Sequence, residues 1–251
     1  MRTRCSIEKY LTLAAGAMAD YQALARFHYR MERLGPVSGV WVLRDEHPRR
    51  RRFCPAVGVI VYTYPVPNVS VRNIATGGFF TAPRTNTERL NLLNEHLRCI
   101  SRVIIEPRWR GLGLAGELVR RTLPMAGVAM VESMAIMGRW TRFFENAGMI
   151  CYCPPQNASC ERLAAALEMV GMQRHLWADS ELCRKRIDAL DHRSREFVRE
   201  QIRIFSRARG ISESEQQAGG LERVLGGLSE RWNYYIWQNP QKTVAGLEIY
   251  D

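Results

Sequence analysis

The spacing of hydrophobic and polar residues changes along the chain in a way that predicts an α/β protein. Apolar runs rich in β-branched residues predict strands over 37–44, 55–64, 100–105 and 131–137. Apolar residues at helical spacing predict helices over 6–33, 116–123 and 140–146, and a short helical segment over 90–97. Residues 67–88 carry no clear period and predict an irregular loop. Strands that alternate with helices favour a layered α/β fold.

The second half of the chain has a different pattern. Helical spacing recurs over 159–170, 180–208 and 212–228, with many charged residues on the polar faces. Residues 232–237 are aromatic and apolar, which predicts a last strand before Pro240. We therefore expect a single α/β domain over 1–251, with a helical insertion at 155–230 placed before a strand that returns to the sheet.

One turn between a predicted strand and a predicted helix carries the strongest chemical signal. Its residues are Arg108, Trp109, Arg110, Gly111, Leu112, Gly113, Leu114 and Ala115. The first turn of a helix has free backbone N–H groups and the positive end of the helix dipole, which together attract anions. Gly111 and Gly113 lack the Cβ atoms that would keep a phosphate away, and Arg108 and Arg110 add positive charge. The turn predicts a pyrophosphate site for a nucleotide-like cofactor, although a surface turn rich in glycine and arginine is the simpler alternative.

The turn is neither of the two common phosphate loops, because it has no Gly-Lys-Ser/Thr ending and no three-glycine fingerprint. Its Arg-x-x-Gly-x-Gly pattern after Pro107 resembles the acyl-CoA pyrophosphate loop of the GNAT acyltransferase superfamily. Residues 144–149, Phe-Glu-Asn-Ala-Gly-Met, are similar to the ending of the helix that follows the cofactor strands in that superfamily. The likeness covers about residues 24–150, and it is greatest to GNAT modules fused to ABC-type ATPases and to phage Mom DNA-modification proteins.

This resemblance implies a GNAT fold, a mixed central sheet flanked by helices, and acetyl-CoA or another acyl-CoA as cofactor. It implies that the pyrophosphate lies against residues 108–115 and the pantetheine arm against Val103, Ile104 and Ile105. It also implies that the strand over 131–137 diverges from its neighbour and supplies a backbone N–H to the thioester carbonyl.

Two residues of that strand are candidates for catalysis. Glu132 is a candidate general base, directly or through water, because acyl transfer to an amine requires removal of a proton. A carboxylate that points inward and pairs with an arginine is an equally good interpretation. Ser133 is a candidate hydrogen-bonding partner of the cofactor or acceptor, or else a small residue that fills a strand position.

The remaining catalytic candidates are aromatic. GNAT enzymes often carry a tyrosine that acts as the general acid in the helix after the divergent strand, but this chain has Phe143 and Phe144 there. Tyr152 is a possible substitute. His28 and Tyr29 are a second possibility, because the resemblance puts the early helix beside the acceptor cleft and Mom-like proteins have a His-Tyr pair at a comparable place. Aromatic packing at a helix end is the alternative for this pair.

The charge of the chain bears on its partners. The net charge is +11, and only three of the 36 basic residues are lysines. Arginine binds phosphate bidentately and stacks on bases, so a nucleic-acid partner is a serious hypothesis. A genome composition that favours arginine codons, with CoA binding using some of the excess charge, is an equally good explanation.

Cysteine usage and hydropathy bear on the compartment. Seven scattered cysteines suit a reducing cytoplasm, and no segment is apolar enough to predict a membrane span. Cys151, Cys153 and Cys160 match no zinc spacing, so we expect no metal site.

The favoured function is an acyl-CoA-dependent N-acyltransferase whose acceptor is a nucleic-acid base, most specifically adenine in DNA. The alternatives are an ordinary N-acetyltransferase acting on a protein or small amine, and a non-catalytic module that binds CoA or nucleic acid.

Overall fold

The computed structural model describes residues 7–28, 34–53, 56–83, 85–154, 158–209, 220–229 and 232–250. The chain divides into two compact units, one made of residues 1–153 with 232–251 and the other of residues 154–231. Within the described ranges, no helix has the length and apolar character needed to cross a bilayer.

The first unit contains a seven-stranded mixed sheet with the strand order β1-β2-β3-β4-β5-β7-β6. Its strands are β1 (Leu11–Ala15), β2 (Val37–Asp45), β3 (Gly58–Thr63), β4 (Leu97–Ile105), β5 (Met130–Ala135), β6 (Ile150–Tyr152) and β7 (Asn233–Gln238). β4 and β5 are parallel, and all other neighbours in the sheet are antiparallel. The α/β class predicted from the sequence, a mixed sheet flanked by helices, is confirmed.

Helices cover both faces of this sheet. They are α1 (Met18–Ala25), α2 (Ser70–Ala75), α3 (Asn86–His96), α4 (Leu114–Thr122) and α5 (Phe143–Asn146). On one face, α4 and α5 pack over a core that includes Ile100, Val131 and Tyr235. On the other face, α2 and α3 pack over a core that includes Met130 and Tyr234. Successive strand residues point to opposite faces, so each strand contributes to both cores.

The parallel strands β4 and β5 pair over only four residues and then separate. The pairing runs from Leu97 opposite Met130 to Ile100 opposite Ser133, whereas β4 continues to Ile105 without a partner on that side. A β-bulge explains the separation. The pairing of β3 with β4 skips Ser101, which is the extra residue on β4, and a bulge bends a strand and increases its twist. The bulge stands where the pairing with β5 ends and opens a gap between the two strands.

The second unit is helical and has its own core. Its helices are α6 (Ala158–Met169), α7 (Ser180–Asp188), α8 (His192–Ala208) and α9 (Gly220–Ser229). Asp179 and Asp191 cap the N-termini of α7 and α8 with side-chain hydrogen bonds. The buried side chains include Leu163, Trp177 and Phe205.

Several sequence-based boundaries were wrong. Residues 11–15 form an edge strand inside the segment predicted as one helix over 6–33, and the short strand β6 was not predicted. The predicted loop at 67–88 contains α2 and the start of α3, because the capping box of Thr85 and Glu88 begins that helix earlier. The stretch 180–208 is two helices, since Asp191 starts a new one. Residues 29–33 and 212–219 of the predicted helices lie outside the described residues.

Candidate cofactor and acceptor site

A cavity of about 620 Å³ occupies the gap between β4 and β5. One wall is residues 100–105 of β4, of which 101–105 are unpaired with β5, and the facing wall is the end of β5, residues 133–135. Residues of the loop before α4 and of α5 also line it, as do Phe27 and His28. The cavity is therefore a direct consequence of the bulge that separates the two strands.

The loop before α4 has the backbone geometry of an anion site. Gly111 and Gly113 have φ angles of +81° and +77°, which strongly favour glycine, and Gly113 is the N-cap of α4. A Cβ atom on either glycine would meet no atom within 4 Å, so packing does not explain why glycine stands there. The glycines Gly111, Gly113 and Gly116 all line the cavity. Free N–H groups at the start of a nine-residue helix thus lie at the edge of an open space.

Arg110 is held beside this loop. Its Nε donates to the carbonyl of Ile105 at 3.1 Å, and its Nη2 donates to the carbonyl of Phe27 at 3.1 Å. Both acceptors are neutral, so the guanidinium keeps its positive charge while its position is fixed. The same bonds connect the end of β4 to the segment that carries His28.

The predicted cofactor residues separate into three groups. Those that line the cavity are Val103, Ile104, Ile105, Trp109, Arg110, Gly111, Gly113 and Ala115. Arg108 and Leu112 line a different groove, and Arg108 donates to the carboxylate of Glu106 at 2.7 Å. Leu114 is buried in the core under α4.

Glu132 lies on the face of β5 away from Ser133 and is fully buried. Arg72 donates to both of its carboxylate oxygens, at 2.8 Å and 2.6 Å, and the hydroxyl of Tyr234 donates to it at 2.9 Å. Arg72 also donates to the carbonyls of Val66 and Pro67. The carboxylate is thus enclosed in a hydrogen-bonded network, and it is not among the residues that line the cavity. This geometry favours the paired-carboxylate interpretation over the general base.

The protonation states within this network follow from its contacts. Burial alone lowers the pKa of Arg72, but the hydrogen bonds and charge of Glu132 outweigh it and raise that pKa above its ordinary value. Burial and the neighbouring carboxylate raise the pKa of Tyr234 well above its ordinary value. Arg72 therefore stays charged and Tyr234 stays a neutral donor.

Ser133 faces the cavity at the point where the strands part. Its hydroxyl donates to the carbonyl of Ile100 at 3.0 Å, and both residues line the cavity. This bond joins β4 to β5 at the last paired position. Ser133, which is 2% exposed, therefore holds the inner end of the gap.

The aromatic candidates occupy different places. His28 lines the cavity, whereas Tyr29 lies outside the described residues. Tyr152 does not line the cavity; its hydroxyl donates to the carbonyl of Tyr250, and its ring packs near Tyr234 on the opposite face of the sheet. The structure therefore brings His28 and Ser133 together around one cavity and separates Glu132 and Tyr152 from it.

Sequence reasoning missed two arginines of the cavity, Arg102 and Arg142. Arg102 is 9% exposed, and Arg142 precedes α5. The described lining residues include these two arginines, Arg110 and His28, but neither aspartate nor glutamate. A charged residue within the apolar run 100–105 was the available signal for Arg102. The charged side chains among the described lining residues are therefore all basic.

The fold and the site define a mixed α/β protein with a ligand cavity in a divergent pair of parallel strands. No family model matches the chain, and no curated protein matches it. Among solved structures, the chain is similar to the crystal structure of Arabidopsis thaliana NAA60 in complex with acetyl-CoA. The identity is 12%, the match covers 57% of this chain and 87% of that chain, and the TM-score is 0.40.

Proposed function

We propose that the chain is an acyl-CoA-dependent N-acyltransferase of the GNAT type, with a nucleic-acid base as its acceptor. One observation carries the proposal. The glycine loop at the N-terminus of α4 opens directly into the gap between β4 and β5. An anion site beside a largely apolar cavity matches the chemistry of CoA, which joins a pyrophosphate to a thioester through a largely uncharged arm.

The residues of the cavity fit such a cofactor. Any Cβ on Gly111 or Gly113 would project into open space at the loop, where the pyrophosphate oxygens would accept N–H hydrogen bonds. The unpaired edge of β4 beyond Ile100 offers backbone groups to the amides of the pantetheine arm. The bound cofactor supplies an activated thioester carbonyl. Arg110 contributes fixed charge at the phosphate end.

We assign the acid–base role to His28, because it is the titratable side chain at the border of the cavity that is best suited to remove a proton from an amine. In this proposal, backbone N–H groups at the end of β5 stabilise the developing oxyanion. The hydrogen bond from Ser133 to the carbonyl of Ile100 supports their position beside β4. Glu132 and Arg72 act as the structural pair behind them.

The charge of the cavity supports a nucleobase over a lysine side chain as acceptor. A lysine ammonium ion would enter a space lined by Arg102, Arg110 and Arg142, with no carboxylate among the described lining residues to attract it. The exocyclic amine of adenine is neutral and belongs to an anionic polymer. Adenine in DNA, as in Mom-like proteins, is the specific acceptor that we propose.

A second candidate is a non-catalytic module that binds CoA and nucleic acid. The enclosure of Glu132 and the phenylalanines at 143 and 144 favour it, because among the described residues they leave His28 as the acid–base candidate that lines the cavity. In that case the chain binds CoA but transfers no acyl group. Cells that express the parent chain and cells that express His28→Ala then contain the same acceptors.

The test is nucleoside mass spectrometry on DNA from cells that express the chain, beside cells that express Arg110→Ala or His28→Ala. We expect a new adenine-derived mass with the parent chain and a decrease of about 100-fold or more with His28→Ala. Isothermal titration with acetyl-CoA should give binding that weakens with Arg110→Ala but persists with His28→Ala. Unmodified DNA with intact CoA binding would exclude the DNA acceptor and direct the search to protein and small-amine acceptors. Absence of CoA binding would contradict the whole proposal.

A further inference from the structure

A second concave surface borders the glycine loop at Leu112. This groove has a volume of about 380 Å³ and is lined by Ile7, Arg50, Phe53, Arg108, Trp109 and Leu112. Trp109 lines both the groove and the cofactor cavity, so the two spaces share one wall. The proposed transfer chemistry makes no use of the groove.

The groove is held in shape by paired charges. Arg50 donates to Asp45 at 2.6 Å, and its guanidinium lies 5.7 Å from the ring centroid of Trp109. Burial alone raises the pKa of Asp45, but the hydrogen bonds from Arg50 and His47 outweigh it and the pKa lies below its ordinary value. Arg108 pairs with Glu106 in the same way. These two arginines are therefore largely neutralised, and they order the groove.

The exposed part of the same turn carries more positive charge. Arg49, Arg51 and Arg52 are exposed neighbours of Arg50 in the turn between β2 and β3. They add local charge to a chain whose net charge is already +11. A row of arginines beside an apolar groove is complementary to a ligand with repeated phosphates and flat apolar surfaces.

An exposed aromatic ring completes this surface. Phe53 is 66% exposed, and the guanidinium of Arg52 lies 4.8 Å from its ring centroid. The ring is open to solvent and is therefore accessible to a ligand. A ring of this kind with arginines beside it is a stacking platform for an unpaired base.

We propose that the groove binds a single-stranded segment of nucleic acid. One base stacks on Phe53, and the phosphates on either side contact Arg49, Arg51 and Arg52. This inference rests on the nucleic-acid acceptor of the proposed function. The groove holds the strand, and the same strand presents the acceptor base to the neighbouring cofactor cavity. A duplex offers no unstacked base to the ring, so the groove selects single-stranded or locally opened nucleic acid.

The experiment uses fluorescence anisotropy with the full chain and a labelled single-stranded DNA of about 12 nucleotides, within the usual site size of such surfaces. The triple variant Arg49→Ala, Arg51→Ala, Arg52→Ala should reduce the slope of log K against log salt by about 2, because three phosphate contacts are lost. Phe53→Ala should weaken binding roughly tenfold and leave the slope unchanged.

Matched controls separate a local site from general charge. The triple variant Arg162→Ala, Arg184→Ala, Arg193→Ala removes the same charge from exposed positions in the helical unit, and Phe197→Ala removes another exposed ring. Neither should change binding by more than about twofold. If the control triple variant weakens oligonucleotide binding as much as the groove triple variant does, binding is non-specific and the proposal is wrong.

Titration with CoA distinguishes the remaining outcomes. We expect the groove variants to bind CoA as the parent chain does. If their affinity for CoA falls in proportion to their affinity for DNA, the groove belongs to the adenosine phosphate end of the cofactor. The inference then fails, while the proposed function stands. If the oligonucleotide binds as expected but CoA never does, the groove stands and the proposed function fails.

Discussion

Two consecutive residues of β5 face environments of opposite character. Glu132 points into a closed network in which Arg72 and Tyr234 use both carboxylate oxygens. Ser133 points into an open cavity, where its hydroxyl forms one bond, to the carbonyl of Ile100. One face of the strand is closed by a charged hydrogen-bonded network, whereas the other lines the cavity.

The comparison teaches that the residue with more reactive chemistry is not the one that faces the ligand. A buried carboxylate stays ionised only if its partners replace its hydration, and in this chain Arg72 and Tyr234 do so with three hydrogen bonds. The network on the Glu132 face holds β5 in place, and the Ser133 face of the same strand forms a wall of the cavity. Each of the following variants acts on one side of this division.

The largest effect is expected from Glu132→Gln, which leaves the charge of Arg72 buried without its counterion. We expect the free energy of unfolding to fall by about 3–5 kcal/mol, measured by urea denaturation. The double variant Arg72→Met, Glu132→Gln should be more stable than Glu132→Gln alone, because the buried cation is then also removed.

Glu117→Gln is the matched control for this change. Glu117 pairs with Arg120 on the surface of α4, where both side chains are partly exposed. Removing that pair should cost less than about 1 kcal/mol. A loss for Glu132→Gln no larger than that of the control would mean that the network contributes nothing to stability and would leave Glu132 open to a catalytic role.

The next effect tests the open face at its anion site. Gly113→Ala should cost about 1–2 kcal/mol, because alanine must adopt a left-handed backbone at φ +77°. Gly127→Ala has the same cost, since its φ is +68° and its Cβ also meets open space. Only Gly113→Ala should weaken CoA binding in isothermal titration, because it places a methyl group at the loop. Equal CoA affinities for the two variants would remove the anion site from this loop.

The two faces also differ in how far the sequence could predict them. The strand, the glycine turn and the helix after it are local patterns, so β4, the glycine turn and α4 were predictable from spacing and composition. The partner of Glu132 was not, because Arg72 lies 60 residues away in a segment predicted as an irregular loop. Hydrophobic period does not reveal which distant helix covers a strand face.

The gap itself also depends on an interaction that the sequence does not encode locally. The extra residue Ser101 becomes a bulge only through the register of β3 against β4. The apolar run at 100–105 predicts a regular strand, and Arg102 within it was an unexplained exception. The structure turns that exception into a wall of the cavity.

A smaller effect is expected from Ser133→Ala, which removes the bond that joins the strands at the edge of the gap. The free energy of unfolding should fall by about 1 kcal/mol, as for one neutral hydrogen bond. If the bond sets the width of the gap, CoA affinity should also fall, although Ser133 is far from the phosphate loop in sequence. Unchanged CoA affinity with the expected loss of stability would restrict Ser133 to a structural role.

The smallest effect concerns thiol reactivity and tests how dry the closed face is. Cys99 is directly opposite Glu132 in the sheet, and burial, followed by the charge of Glu132, raises the pKa of its thiol to about 12. Because the reactive form is the thiolate, Cys99 should stay protonated and resist iodoacetamide even at pH 9, whereas the exposed Cys153 is alkylated in the same sample. In Glu132→Gln, mass spectrometry should detect faster alkylation of Cys99, since a weakened network opens more often. Rapid labelling of Cys99 in the parent chain would mean that this face of β5 is as open as the other.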